Sequence, residues 1–122
     1  MKILLAEDEL DIQYVTQVAL EDAGHQVVTA NDGVVALARA RAEPFDVVLL
    51  DVMMPRKNGY EVCQAIRANP DWQAVRIIML TAKGREVERE KGLALGADDY
   101  ITKPFSTQEV VERVRELLTS TD

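Results

Sequence analysis

Apolar residues in this chain gather into short, nearly unbroken runs. Residues 3–6, 27–30, 47–50 and 77–80 form four of them, and after each the apolar spacing lengthens to that of a helix. A weaker run at 100–101 precedes the clearest helix, in which Val110, Val111, Val114, Leu117 and Leu118 fall on one face. Asn58 with Glu61, and Ser106 with Glu109, have the spacing of capping boxes, while Gly24 and Gly96 stand where helices should stop. Five βα units in succession predict an α/β fold with a single doubly wound parallel sheet. Right-handed crossovers cover both faces of such a sheet, which is why its strands carry no polar interruptions. No repeat, low-complexity segment or linker divides the chain.

Ligands of an open parallel sheet bind at the carboxyl ends of its strands, so the residues that close each run come next. The first run closes on Glu7 and Asp8, the third on Asp51, the fourth on Thr81 and Ala82, and the fifth on Thr102 and Lys103. The second contributes no obvious member. In "VVLLDVMMPRKNGYEV" a buried strand thus ends on an acid, and Pro55 and Gly59 shape the loop that leads away from it. Three carboxylates on one edge repel and raise one another's pKa values unless a cation lies between them. Mg²⁺ suits them, since it takes one or two carboxylates and completes its shell with water and phosphate oxygens. Lys103 adds a cation for a phosphate and Thr81 a hydroxyl. The set reads as an aspartyl-phosphate site, with a carboxylate nucleophile and groups that hold phosphoryl oxygens. Each residue alone has a plainer explanation. Acids at 7–9 favour a helix N-terminus by about 0.3–1 kcal/mol, and Lys103 before Pro104 suits a solvated loop. It is the convergence of four strand ends that carries the chemistry.

Composition narrows the partners. A chain of 122 residues, 48% hydrophobic, buries one core and is read as one domain over 1–122. A formal net charge of −7 disfavours direct nucleic-acid binding. No apolar run approaches the roughly 20 residues of a membrane span, and the expected location is the cytoplasm. The single cysteine, Cys63, shares a helical face with Val62 and Ile66 and is expected to be buried. His25 is expected to be exposed after Gly24, and Trp72 to cover a loop.

The motifs "LLAEDE", "VVLLDVMMPRKNG", "IIMLTAKG" and "GADDYITKPF" stand in order along almost the whole chain. Together they resemble the response regulator receiver domain of two-component signalling, most closely the receivers of winged-helix DNA-binding regulators. The resemblance implies a (βα)5 flavodoxin-like sheet of strand order 2-1-3-4-5. It implies that Asp51 takes a phosphoryl group from a histidine kinase, and that Glu7, Asp8, Asp51 and the Met53 backbone carbonyl organise Mg²⁺. It further implies that Thr81, the Ala82 amide and Lys103 contact the phosphoryl oxygens. Thr81 and Tyr100 match the family's switch pair, and a cis bond is implied between Lys103 and Pro104. Arg89, Asp99, Glu109 and Arg113 match the charged set of a phosphorylation-dependent homodimer. That set lies on the face of the fourth helix, fifth strand and fifth helix.

Such a domain acts on itself rather than on a separate substrate. A stand-alone receiver that docks on a protein partner is the alternative within the family. An aspartate-nucleophile phosphatase would carry its nucleophile after the first strand as Asp-x-Asp, with sequence for a cap; here that strand ends Glu-Asp-Glu. An FMN carrier would need a Ser/Thr/Gly phosphate loop there, and "AEDELD" repels a phosphate.

Overall fold

The computed structural model describes residues 1–82 and 86–119, without the side chains of residues 82 and 86–89. Strands and helices alternate throughout: β1 (Lys2–Ala6), α1 (Leu10–Asp22), β2 (Gln26–Ala30), α2 (Gly33–Ala42), β3 (Val47–Asp51), α3 (Gly59–Ala68), β4 (Arg76–Ala82), α4 (Glu86–Ala94), β5 (Asp99–Lys103) and α5 (Thr107–Thr119). A short 3-10 turn, Pro70–Trp72, precedes β4. All neighbouring strands are parallel, in the order β2-β1-β3-β4-β5. This is the expected fold. The weak run at 100–101 becomes a full strand, because β5 lies at the sheet's edge and buries only Ile101 completely.

Strand periodicity separates two cores. Leu4, Val48, Leu50, Ile77 and Met79 face α2 and α3, where they meet Ala36, Leu37, Val62, Cys63 and Ile66. Ile3, Leu5, Val47, Leu49, Ile78 and Leu80 face the other way, toward Leu20 of α1 and Val110 and Val114 of α5. Burying both sides of β3 leaves only its carboxyl end open to chemistry. Cys63 is buried as expected, and burial pushes its thiol up to about 11, so it remains an unreactive apolar group.

Element ends follow local rules. Asn58 accepts from Glu61 N at 2.9 Å while the Glu61 carboxylate accepts from Asn58 N at 3.2 Å, completing the first capping box. At α5, Ser106 Oγ accepts from Glu109 N at 3.1 Å, and the Glu109 carboxylate faces Arg113 at 3.8 Å. Gly24 and Gly96 take left-handed φ values of 97° and 107°, which a side chain would resist. Gly59 answers to close approach: a Cβ there would meet the Asp51 carbonyl at 2.4 Å. The left-handed residue of that loop is Arg56, at φ 70°.

The Lys103–Pro104 bond is cis. His25 departs from expectation: it is half-buried, its enclosed Nδ1 has no hydrogen-bond partner, and burial lowers its pKa. Trp72 packs against the flank of the first core. Among the described residues, no helix is long and apolar enough to cross a membrane.

Candidate functional site

The carboxyl ends of β1, β3, β4 and β5 meet at one edge of the sheet. β1 ends at Ala6, so Glu7 and Asp8 lie just past it, and β3 ends on Asp51 itself. Carboxylate oxygens of Glu7, Asp8 and Asp51 lie within 4.8 Å of one another, the only such group of potential metal ligands among the described residues. Glu7 and Asp51 are buried, and Asp8 is exposed at the mouth. Ala82 pairs with Lys103 across β4 and β5, which brings the lysine over the edge. Its ammonium lies 2.7 Å from Glu7 Oε1, 3.2 Å from Asp51 Oδ2 and 3.6 Å from Glu9. On the loop beyond Asp51, Met53 N donates to Asp51 Oδ1 at 3.3 Å.

The electrostatics are those of a crowded anionic site in which Lys103 is an internal counter-ion. Burial raises the Asp51 pKa most. Its hydrogen bond to Glu7 and the Glu7 charge add to this, Lys103 opposes it, and Asp8 contributes a further bond; the result is about 8. Burial also works against the Lys103 charge, but Glu7 and Asp51 more than reverse that and hold its pKa above the ordinary lysine value. Glu7 Oε1 is buried, with the Lys103 ammonium beside it at 2.7 Å. A buried carboxylate oxygen with spare capacity beside two further carboxylates fits a hard divalent cation. The donors are all oxygen, which favours Mg²⁺ over softer metals.

Thr81 is buried near the end of β4. Tyr100 stands beside Met79, two residues back on the same face as Thr81, and packs against the core under α3. The two proposed switch residues therefore share one side of the sheet. Ala82 supplies backbone at the edge; its side chain lies outside the described residues. Of the charged set, three members come together: Arg113 Nη1 donates to both Asp99 oxygens at 3.0 and 3.1 Å and to the Tyr100 carbonyl at 3.1 Å, and Glu109 is its neighbour on α5. The Arg89 side chain lies outside the described residues.

Some residues that shape the site carry no sequence signal of their own. Gln13 of α1 reaches back to the ends of β1 and β2, at the place where the second run closes on no candidate residue. Arg56 pairs with Asp32 at 3.3 Å and ties the loop after β3 to the N-cap of α2. At the opposite end, Arg67 donates to Gly96 O and Asp98 Oδ2, both at 2.8 Å, fixing the turn between α4 and β5. No spacing rule finds such pairs, since they join residues distant in sequence.

The profile of the response regulator receiver domain matches residues 3–115. The chain is 47% identical over 121 residues to a protein named "Probable transcriptional regulator ycf27" in Cyanophora paradoxa, covering 99% of this chain and 49% of that protein. It is 47% identical over 117 residues to the alkaline phosphatase synthesis transcriptional regulatory protein PhoP of Bacillus subtilis (strain 168), covering 96% and 48%. The chain thus spans about half the length of these relatives. Among solved structures, the chemotaxis response regulator CheY4 of Vibrio cholerae superposes with a TM-score of 0.90 at 34% identity, over 95% of this chain and 97% of that one.

Proposed function

The chain belongs to the response regulator receiver domain family of two-component systems, and from that premise we propose that Asp51 accepts a phosphoryl group from a histidine kinase and thereby switches a transcriptional output. One observation carries this reading: a buried carboxylate at the end of β3 meets two further carboxylates and a lysine at the same sheet edge. In the reaction a carboxylate oxygen of Asp51 attacks phosphorus, the P–N bond of the kinase phosphohistidine breaks, and the imidazole nitrogen leaves with the electron pair. Glu7, Asp8, Asp51 and the Met53 carbonyl would hold Mg²⁺, which screens the carboxylates and the incoming phosphoryl charge. Lys103 binds a phosphoryl oxygen as its interaction with Glu7 and Asp51 loosens, and Thr81 and the Ala82 N–H take the others. The domain modifies itself and turns over no separate substrate.

A protein partner has a surface beside this site. Leu10, Tyr14 and Val15 of α1 and Met53 of the adjoining loop are all more than half exposed, and such apolar ground by a reactive edge suits docking by another protein. The cytoplasm is the compartment this reading assigns. Acetyl phosphate with Mg²⁺ is expected to add one phosphoryl group to the chain, seen by intact mass, and EDTA to prevent it. Labelling that persists in EDTA would remove the cation from the scheme.

The response is read as movement of Thr81 toward the phosphoryl group and of the Tyr100 ring inward, altering the face of α4, β5 and α5. Half-length coverage of transcriptional relatives favours an output carried by a longer regulator, with a homodimer as the signalling state. Arg113 is already engaged by Asp99 within the chain, so pairing across a two-fold axis requires exchange of partners. Sedimentation with beryllofluoride and Mg²⁺ is expected to reveal a dimer that Arg113→Glu disrupts and an added Asp99→Arg partly restores. An activated wild type that stays monomeric at high micromolar concentration would instead support a stand-alone receiver.

A further inference from the structure

We propose that Gln13 is a positioning residue of the cation site, holding the peptide plane between Glu7 and Asp8 so that both carboxylates reach Asp51. The proposal rests on the reading of the acidic cluster as a divalent-cation site. Successive residues of a strand point to opposite faces, so two adjacent acids serve one site only where the backbone turns between them. That turn occurs where the sheet stops. The β1–β2 ladder ends with Ala6 beside Ala30, and Glu7, fully buried, is the first residue past it.

The Glu7 N–H still donates to the Ala30 carbonyl at 3.0 Å, but the Glu7 carbonyl has passed the last rung of the ladder. Gln13 Nε2 supplies its donor at 2.9 Å. The same nitrogen lies 2.8 Å from Asn31 Oδ1 and 3.4 Å from the Ala30 carbonyl, so every partner at this point is an acceptor and the position requires a donor. Gln13 is itself buried, and its backbone N–H donates to Glu9 O at 2.9 Å, which fixes it in the first turn of α1. Without the amide, the buried Glu7 carbonyl has to turn toward water to be satisfied. The Glu7–Asp8 peptide plane turns with it and carries both carboxylates off target. Glu9 N, which donates to Glu7 Oε2 at 3.2 Å, reports on that movement.

The test compares wild type with Gln13→Met, which fills a similar volume without a donor, and with Gln13→Ala. Gln17→Ala, one turn further along the same helix and bonded to Glu21 rather than to the sheet edge, serves as control. Calorimetric titration with MgCl₂ is expected to show affinity lowered about tenfold to a hundredfold in both Gln13 variants, the usual effect of losing a group that orients a metal ligand. In the metal-free protein the Glu9 amide is expected to exchange about tenfold faster, while the core amides of Leu49 and Val114 keep their wild-type rates. Wild-type Mg²⁺ affinity in Gln13→Met overturns the proposal. So does a lowered affinity accompanied by equal loosening at Leu49 and Val114, since Gln13 then only supports the fold. A wild type that binds no Mg²⁺ overturns the cation site itself, and the positioning role falls with it.

Discussion

Asp51→Asn takes up no phosphoryl group from acetyl phosphate and Mg²⁺ under conditions that label the wild type fully. The substitution keeps shape and volume in a buried site, so the fold and the neighbouring Glu7, Asp8 and Lys103 remain in place. What it removes is the nucleophile: a neutral amide oxygen lacks the charge that attacks phosphorus, and the loss is expected to exceed about 10³-fold in labelling rate. Two companion variants separate the roles. Asp8→Asn, at the mouth, chiefly weakens Mg²⁺ binding, so labelling recovers when Mg²⁺ is raised. Lys103→Ala leaves three carboxylates without their internal counter-ion and therefore retains Mg²⁺ affinity, while losing the group that passes the phosphoryl charge on to β5. Intact-mass measurement decides each case. Labelling of Asp51→Asn at the wild-type rate would show that another residue is the acceptor.

Most of this site was legible in the sequence because it is made by strand ends. A run of Val and Leu that stops on Asp51 marks both a buried strand and the residue at its carboxyl end, and parallel packing then brings Glu7, Asp8 and Lys103 to the same edge. The fold followed from the same alternation, since the inner strands β1, β3 and β4 bury two faces and so run unbroken. Periodicity was weaker where one face is open, as in β5, which proved longer than its apolar pair.

What remained hidden depends on side chains meeting across the fold. Gln13 looked like one polar residue among several on α1, yet it closes the end of the β1–β2 ladder. Arg113 was matched to a set of charges for a homodimer, and within its own chain it bonds Asp99. His25 followed a glycine and looked exposed, although the turn after α1 folds its Nδ1 inward. Local pattern fixes which face a residue occupies; which partner it finds there depends on the register of distant elements.

In the absence of a divalent cation, the chain is expected to lose stability as pH rises from 3.8 to about 8. Asp51 is an acid whose folded pKa lies above its unfolded value, so between these limits the folded state keeps a proton that the unfolded state has released. Its contribution is therefore complete below 3.8 and gone above about 8. Each unit of such a shift corresponds to about 1.4 kcal/mol. Because Lys103 opposes the shift and the site's charges act together, only part of it reaches the fold, and a total of about 2–4 kcal/mol is the reasonable expectation. That is a large share of the roughly 5–15 kcal/mol that holds a domain together.

His25 acts with the opposite sign, since its lowered pKa costs stability as pH falls below 6.5, and Asp51→Asn carries the same histidine. The difference between the two proteins therefore isolates the carboxylate. At pH 8 without metal, Asp51→Asn should melt roughly 10 °C above wild type, and the gap should close toward pH 4. Mg²⁺ at about 100 times its dissociation constant should add about 2.7 kcal/mol to the wild type and less to the variant, which offers one carboxylate fewer. Thermal melts across pH, with EDTA and with Mg²⁺, measure all three effects. Identical pH profiles for the two proteins would mean that Asp51 ionises as an ordinary carboxylate, leaving the site no electrostatic strain for a cation to relieve.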